Sequence, residues 1–467
     1  MSNRITPLIL AVALFMEMMD STVISTSLPA IAADIGTEPI SLKLALAAYL
    51  VALAIFIPIS GWMADRYGAR NVFRSAIVVF MIGSVACAFA DSLFTFVLAR
   101  FLQGVGGSMM TPLSRLILIR NTPKKDLINA WAWLTMPALF GPLAGPPVGG
   151  FLTTYFSWHW IFYINIPIGI IGIILASKYL SGTGHRERRK LDWIGFLLTG
   201  SCFSGLIFGL SVVSLPALPP AFGASVALAG LICGILYVFH ARRVENPVLD
   251  LEVFEEPIFR TATNAGFIFR ISIGGVPFLF PLMLQIGFGY SPFESGMISF
   301  IGAAGAIAMK FFLKPALNMF GFRSLLITGV CVSAVLTVGQ GLFNSQTPIW
   351  IMMSLLLFMG FFRSMYFTSL NTLTFTQTPT QDTGSATVIS SVSIQLAFAF
   401  GVALTALLLE GIAFVRGVEV GVPEMQIVFF ILASITVVSL LPLFKLSKQV
   451  GDDVSGHVVK TPPQPPT

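Results

Sequence analysis

Charged side chains are scarce in this sequence, since aspartate, glutamate, lysine and arginine make up only 10% of its 467 residues. Soluble domains contain about 25% of these four residue types. Hydrophobic residues account for 55% of the chain, and the mean hydropathy is +0.87. So few charges cannot cover a water-exposed surface. We therefore expect a lipid bilayer around the chain, and the net charge of +6 gives no reason to expect nucleic acid as a partner.

Cysteine is rare as well, and the patterns that carry catalysis or nucleotide binding are missing. The four cysteines lie inside apolar stretches without CxxC spacing, which predicts neither a disulfide framework nor a metal site. The sequence has no nucleophile–base pair, no metal-ligand cluster and no Walker loop. We therefore expect no enzymatic activity, no cofactor, no bound metal and no use of ATP.

Long apolar stretches dominate the sequence instead. A membrane-spanning helix needs about 20 mostly apolar residues, and proline, glycine and charged clusters separate fourteen stretches of this kind. No soluble domain is left over, so the predicted fold class is an all-α polytopic membrane protein. The predicted spans lie at 6–30, 43–64, 72–91, 93–119, 127–153, 161–180, 192–214, 219–241, 260–287, 292–314, 324–343, 347–372, 384–409 and 425–444.

The basic residues alternate between the two sides of these spans. Connections after even-numbered spans carry most of them, whereas connections after odd-numbered spans carry only Lys43 and Arg416. Lysine and arginine accumulate in cytoplasmic loops, so both termini are expected in the cytoplasm. The C-terminal sequence TPPQPPT is rich in proline and predicts a disordered cytoplasmic tail.

An internal repeat relates the two ends of the chain. DRYGAR at 65–70 resembles NMFGFR at 318–323, and GVGGSMMTPLSRL at 104–116 aligns with GFFRSMYFTSLNTL at 360–373. Two related bundles around an axis normal to the membrane are an architecture of transporters. The repeat predicts an N-terminal six-helix bundle, two inserted transmembrane helices with their flanking loops, a C-terminal six-helix bundle and a tail, at 1–180, 181–255, 256–444 and 445–467.

Five motifs follow one another along the first six predicted spans. They are MMDSTVISTSLP, GWMADRYGARNVF, LARFLQGVGGS, ALFGPLAGPPVGG and SWHWIFYINIPIG, at 18–29, 61–73, 98–108, 138–150 and 157–169. Together they resemble motifs of the major facilitator superfamily, in particular its fourteen-span drug:proton antiporter family. The resemblance implies the major facilitator fold, with two pseudo-symmetric six-helix bundles plus two inserted helices.

The same resemblance implies an activity and a location. It points to a secondary active transporter in a bacterial inner membrane, which exports hydrophobic or cationic drug-like compounds in exchange for protons by alternating access. The alternative is a proton-coupled exporter dedicated to one metabolite, such as a sugar, an amino acid or a siderophore. We expect the small-molecule substrate, protons and lipid to be its partners, and the chain to act as a monomer.

Two carboxylates in the first predicted span are the leading candidates for proton coupling. Glu17 and Asp20 are three residues apart and so share one face of a helix. Two carboxylates buried close together cannot both ionise cheaply, so one is expected to hold a proton near neutral pH. Asp20 matches the acid that the family carries in this span. The alternative is a neutral, hydrogen-bonded pair that pins the span to Arg100 or Arg270, and which acid is the main proton carrier stays open.

Arg100 in the fourth predicted span is the third candidate for proton coupling. An arginine within a membrane span usually faces a cavity or a partner, and the resemblance implies that Arg100 biases a nearby carboxylate. The alternative is an arginine near a helix end that reaches the lipid headgroups.

The motif after the second predicted span contains a candidate cytoplasmic latch. Its carboxylate can pair with arginines or stabilise a helix N-terminus of the other half, and such a contact can exist in one transporter state and break in the other. The alternative is a solvated anchor that follows the charge rule. The candidate latch residues are Gly61, Asp65, Arg66, Gly68 and Arg70.

The fifth predicted span resembles the antiporter motif of the family. Glycines four residues apart lie on one face and allow close helix approach, while prolines remove hydrogen bonds and bend the axis. The family resemblance implies that this helix governs the outward passage. The candidate residues are Gly141, Pro142, Gly145, Pro146, Gly149 and Gly150.

Further polar residues within the spans are candidates for the cavity between the two bundles. The second half has no acid as deep as those of the first predicted span, so we expect the proton chemistry in the first half. The candidate cavity residues are Gln103, Arg270, Gln285, Arg363, Asn371 and Gln395.

Overall fold

The computed structural model describes residues 2–121, 127–180, 190–213, 219–376, 383–447 and 449–450. All regular structure in these ranges is helical. The α-helices are α1 (Ser2–Val23), α2 (Leu28–Asp34), α3 (Lys43–Phe56), α4 (Ser60–Tyr67), α5 (Ala69–Ala88), α6 (Leu93–Asn121), α7 (Leu127–Tyr155), α8 (Trp160–Tyr163), α9 (Asn165–Tyr179), α10 (Trp193–Val213), α11 (Pro220–Ala241), α12 (Pro257–Gly274), α13 (Val276–Leu282), α14 (Pro292–Gly341), α15 (Ile349–Thr376), α16 (Thr383–Arg416), α17 (Val422–Val438) and α18 (Leu440–Leu443).

Thirteen helical segments in the described ranges are long and apolar enough to cross a membrane. Each coincides with one of the predicted spans. The predicted span at 127–153 coincides with α7, which has 29 residues but is not among the thirteen. The all-helical membrane fold is therefore confirmed, and the exact number of fourteen spans stays a prediction.

Two glycines at matching positions of the repeat turn the chain between neighbouring spans. Gly68, between α4 and α5, has a φ of +87°, and Gly321, within α14, has a φ of +68°. Side chains with a Cβ rarely adopt this left-handed region. Gly321 has a non-helical backbone inside α14, so α14 consists of two helices that meet at a kink there. The two helices correspond to the predicted spans at 292–314 and 324–343, and the kink lies in the predicted connection between them.

The first half of the chain packs in pairs of helices, and its apolar core continues into residues of α16. Helix α1 lies along α7 and also contacts α9, while α6 packs between α3 and α5. Glycines of α6 make the closest approaches, since a Cβ at Gly104 would collide with the backbone of Tyr49 and one at Gly106 with that of Phe80. This packing brings α1, α3, α5, α6 and α9 together around one point.

In the second half, the two segments of α14 pack against α15, and α12 packs against α16 and α17. The end of this half corrects one prediction. Leu446 and Val450, which fall in the predicted disordered tail at 445–467, are buried in the apolar cluster of this half. Both are apolar and follow α18 closely, so they continue its hydrophobic surface. Residues 451–467 lie outside the described ranges.

The two inserted helices, α10 and α11, form a hairpin at the periphery. They meet through small residues, since a Cβ at Gly209 would collide with the backbone of Ala227, and one at Gly230 with that of Leu206. Helix α10 contacts α3 and α16, whereas the packing of α11 is mainly against α10. Much of α11 is exposed and apolar, including Leu228, Ile232 and Leu236, as a lipid-facing surface requires.

Candidate functional site

Asp20 of α1 lies at the centre of a buried polar cluster in the first half. Arg100 donates from Nη1 to Asp20 Oδ2 at 2.7 Å. Gln103 Nε2 and Asn165 Nδ2 donate to Asp20 Oδ1 at 2.8 and 2.9 Å. Asp20 has no exposed surface and Arg100 only 1%. The carboxylate is therefore paired with a charge and also hydrogen-bonded on both oxygens, which are the conditions under which a buried ion pair is tolerated.

The surroundings of Arg100 fix its position. Its guanidinium carbon lies 4.4 Å from the centre of the Tyr49 ring, in a cation–π contact. Arg100 Nη1 also donates to Gln103 Oε1 at 2.5 Å. Ser84 Oγ accepts from Gln103 at 2.7 Å and from Asn165 at 3.0 Å. The sequence-based alternative of an arginine that reaches the headgroups therefore does not describe Arg100, which lies inside the protein.

Glu17 is also buried but has different partners. Its Oε2 accepts from Thr111 Oγ1 at 2.8 Å, and Arg115, one turn farther along α6, interacts with it electrostatically. Asp20 is held by residues of α6 and α9. The two carboxylates, predicted to act as a pair, thus have separate sets of hydrogen-bond partners. Of the two arginines suggested as partners, Arg100 binds Asp20 and Arg270 does not.

The glycine stripe of α7 faces α1. A Cβ at Gly141 would collide with Met18 and Met19, one at Gly145 with Thr22, and one at Gly149 with Val23 and Thr26. The four-residue spacing therefore lets α7 lie directly on the turn of α1 that carries Asp20 and on the turn after it.

The two halves of the chain meet at the ends of α3 and α16 that carry Lys43 and Glu410, which we call the outer end. Lys43 is fully buried, and its Nζ donates to both carboxylate oxygens of Glu410 at 2.8 Å. Gln285 Nε2 donates to the Thr26 carbonyl oxygen at 3.1 Å. These contacts join the halves at the outer end.

Two glycines also contribute to the contact at the outer end. A Cβ at Gly150 would collide with the Pro292 backbone, and a Cβ at Gly296 would collide with the Pro146 carbonyl. The last turns of α7 therefore pack directly on the first turns of α14. The candidate residue Gly150 thus contacts the other half, whereas Gly141, Gly145 and Gly149 contact α1.

A cavity of about 520 Å³ lies between the halves. From the first half it is lined by Thr22 and Ser25 of α1 and by Pro142 and Pro146 of α7. Helices α13, α14 and α15 form the rest of its wall, which is mostly apolar. Thr22 lies two residues after Asp20, so a movement of α1 at Asp20 also moves the cavity wall.

The candidate cavity residues divide into two groups. Arg363 and Asn371 of α15 line the cavity. Arg270 is buried behind them, where its Nη2 donates to Asn371 Oδ1 at 3.2 Å. Gln103 belongs to the Asp20 cluster, Gln285 belongs to the outer contact, and Gln395 is half-buried on α16. None of these three glutamines lines the cavity.

The candidate latch residues lie at the other end of the molecule and do not form one cluster. Arg70 donates to the Ser177 carbonyl oxygen of α9 at 2.7 Å, and Arg66 lies 5.8 Å from the Trp62 ring centre. Gly61 and Asp65 line a cleft together with Ser385, in the first turn of α16. Asp65 and the first turn of α16 thus border the same cleft, and the latch role of Asp65 stays a prediction.

Several residues of the site were not predicted from the sequence. Ser84, Asn165 and Tyr49 complete the Asp20 cluster, but uncharged polar residues are common in membrane helices and carry no distinct signal. Lys310 lines the cavity. It lies near the end of a predicted span, where a lysine ordinarily marks the cytoplasmic boundary.

Comparison with known proteins gives consistent matches. The family model described as Major Facilitator Superfamily matches residues 10–241 and 263–463. "Probable transport protein HsrA" of Haemophilus influenzae is 36% identical over 454 residues, which are 97% of each chain. "Putative multidrug resistance protein MdtD" of Klebsiella pneumoniae is 35% identical over 453 residues, which are 97% of this chain and 95% of the relative.

Solved structures show the same fold at low sequence identity. A D-xylose-proton symporter superimposes with a TM-score of 0.69 at 16% identity, over 94% of this chain and 96% of the symporter. An auto-inhibited POT family peptide transporter also gives a TM-score of 0.69, at 14% identity and over 95% and 96% of the two chains.

Proposed function

The chain belongs to the major facilitator superfamily, and on that premise we propose that it exports hydrophobic or cationic drug-like compounds in exchange for protons. Transport across a membrane, and not catalysis, is the activity that membership of this family assigns. The name of the Klebsiella relative contains the words multidrug resistance, which favours a broad substrate range over the dedicated export of one metabolite.

One observation carries the proposal. Asp20 lies on α1, which also lines the cavity, and forms a buried ion pair with Arg100 of α6. Protonation of Asp20 would remove one charge and leave Arg100 without its partner. Breaking a buried pair in this way costs about 3–5 kcal/mol. A complete change between two conformations needs about 5.5 kcal/mol. Protonation of one carboxylate is therefore of the right size to change which conformation dominates.

Helix α1 connects this switch to the substrate. Charged Asp20 ties α1 to α6 and α9 through Arg100, Gln103 and Asn165. Neutral Asp20 accepts weaker hydrogen bonds from the same donors, so α1 becomes free to move. Thr22 and Ser25 move with it and reshape the cavity. Proton uptake and substrate release would then alternate as the two bundles rock.

The proposal also places the chain in the membrane. The basic residues support an inner membrane orientation with both termini in the cytoplasm, so the outer end would face the periplasm. The division into bundles at 1–180 and 256–444, with 181–255 inserted between them, supports rocking around the cavity. We propose that a single chain is sufficient for transport.

The test is proton-driven efflux from proteoliposomes that contain the purified protein. We expect Asp20→Asn to abolish transport driven by a pH gradient, since the amide cannot ionise, while Glu17→Gln separates the role of the second acid. Asp91→Asn, which removes an exposed carboxylate between α5 and α6, is the matched control and should transport normally. Normal gradient-dependent transport by Asp20→Asn would refute the proposed coupling.

A further inference from the structure

The charged wall of the cavity lies entirely on the second half. Lys310 of α14 and Arg363 of α15 line the cavity, and no acidic side chain is among the described lining residues. Lys310 Nζ donates to Thr368 Oγ1 at 2.8 Å. In the described part of the chain, neither Lys310 nor Arg363 forms an ion pair. Two cations thus face a mostly apolar space, and no described residue neutralises them.

Arg363 has further unused capacity for hydrogen bonds. Its Nε and Nη2 atoms are buried and have no hydrogen-bond partner among the described residues. Arginine presents its donors as a planar fork that matches a carboxylate, sulfonate or phosphate group in a two-point contact. A buried guanidinium with free donors is costly unless something completes it.

Arg270 contacts two of the residues that line the cavity next to Arg363. Arg270, behind the wall, donates to Asn371 and lies 5.2 Å from the Phe367 ring centre. Arg363, Phe367 and Asn371 follow one another at four-residue steps on one face of α15, and all three line the cavity. The basic and aromatic side chains therefore form one continuous surface on the cavity wall.

A second unpartnered group lies on the same cavity. Gln340 of α14 is fully buried, and neither atom of its amide has a hydrogen-bond partner in the described ranges. Gln340 also lines the cavity. An amide supplies both a donor and an acceptor, so this group complements a polar substituent of the ligand, whereas the apolar lining complements its body.

From these observations we propose that the cavity binds apolar compounds that carry one anionic group, a carboxylate, sulfonate or phosphate, and that Arg363 and Lys310 bind this group. The proposal rests on the proposed export function and specifies its substrate class. Cationic lining residues attract anions and repel cations. The inference therefore keeps the hydrophobic compounds of the proposed function and replaces its cationic ones, which would be the weaker ligands of this cavity.

Binding of two matched dyes to the full chain in lipid nanodiscs tests the proposal. Anilinonaphthalene sulfonate and phenylnaphthylamine share one apolar body, but only the first carries an anionic group. We expect the sulfonate to bind more tightly than the neutral dye, with empty nanodiscs as the blank. Hydrogen bonds to charged groups are worth about 1.5–3 kcal/mol, so Arg363→Gln should weaken sulfonate binding by about tenfold or more and leave the neutral dye unchanged.

Further variants test the same two cations and provide a control in case Arg363→Gln does not fold. Lys310→Gln should act in the same direction, Arg363→Lys should retain part of the affinity, and Arg243→Gln, which removes an exposed charge outside the cavity, should change nothing. If Arg363→Gln does not fold, loss of neutral-dye binding reveals it and Lys310→Gln decides. Equal affinity for the two dyes in the wild-type protein, or unchanged sulfonate binding in both variants, would overturn the proposal.

Two additional measurements separate ligand binding from lipid binding, and this inference from the proposed function. Sulfonate preference in zwitterionic lipid that disappears when anionic phospholipid is added would show that lipid headgroups occupy the site, which overturns the proposal. Proton-coupled efflux of the neutral dye without any preference for the anion would refute this inference alone. Absence of proton-coupled transport of either dye would refute the proposed function itself.

Discussion

At the scale of single residues, the hydrogen bonds around Asp20 explain how a charge is kept inside a membrane helix. Arg100 supplies the opposite charge, and Gln103 and Asn165 satisfy the other oxygen. Each donor comes from a helix of the first half, so the carboxylate also holds three elements together. Structural and functional roles are therefore carried by the same atoms.

Removal of one of these hydrogen-bond donors should lower the stability of the protein most when Asp20 is charged. We expect Asn165→Leu to lower stability by about 1–3 kcal/mol, the usual cost of leaving a buried polar group without its partner. In Asp20→Asn the same change should cost less, because the neutral amide needs weaker partners. Apparent melting temperatures of the two single variants and the double variant measure this coupling. Strictly additive losses would show that Asn165 does not support the charge.

The sequence predicted part of this cluster and missed the rest for a physical reason. Asp20 and Arg100 are charges within apolar spans, so their cost alone marks them as functional candidates. Ser84 and Asn165 cost little in a helix and gain their importance only from the packing of α5 against α6 and of α9 against α1 and α5. Lys310 was missed because its distance from the lipid–water boundary depends on where the helix ends.

At the scale of helices, α7 is the element that links α1 to the other half. Its glycines at four-residue steps lie against α1, and Gly150 at its end lies against α14. The spacing of the stripe was evident in the sequence. Which helix it faces, and that Gly150 faces a different one, follows only from the tertiary packing.

Substitution in the stripe should separate α7 from α1. We expect Gly145→Leu to abolish transport while the protein still inserts, because even a Cβ at this position would collide with Thr22. Gly411→Leu is the matched control, since a Cβ there would meet no atom within 4 Å. In the milder variant Gly145→Ala, the additional change Thr22→Ala should restore part of the activity. Transport by Gly145→Leu at the wild-type rate would contradict this account of α7.

At the scale of the whole molecule, the outer end is a region where charged and backbone contacts join the halves. The Lys43–Glu410 pair is the charged contact there, and Gly150 and Gly296 provide the closest backbone approaches. The internal repeat predicted two related bundles. The pair between Lys43 and Glu410 was not predictable, because these residues are far apart in sequence and each was expected at the membrane surface.

Loss of this pair should favour the conformation that is open at the outer end. We expect Lys43→Gln to lengthen the distance between spin labels at positions 38 and 419, which lie in connections at the outer end. The exchange variant Lys43→Glu with Glu410→Lys should restore the shorter distance. If Lys43→Gln leaves the distance distribution unchanged, the pair does not control closure.

The same label pair offers the most direct measurement of the central claim, that protonation of Asp20 changes which conformation dominates. The wild-type distance distribution at a pH where Asp20 is protonated should differ from the distribution at a pH where Asp20 is ionised. Asp20→Asn should show the acidic distribution at every pH, because its amide mimics the protonated acid. A variant Asp20→Asn that still shifts with pH as the wild-type protein does would contradict the account.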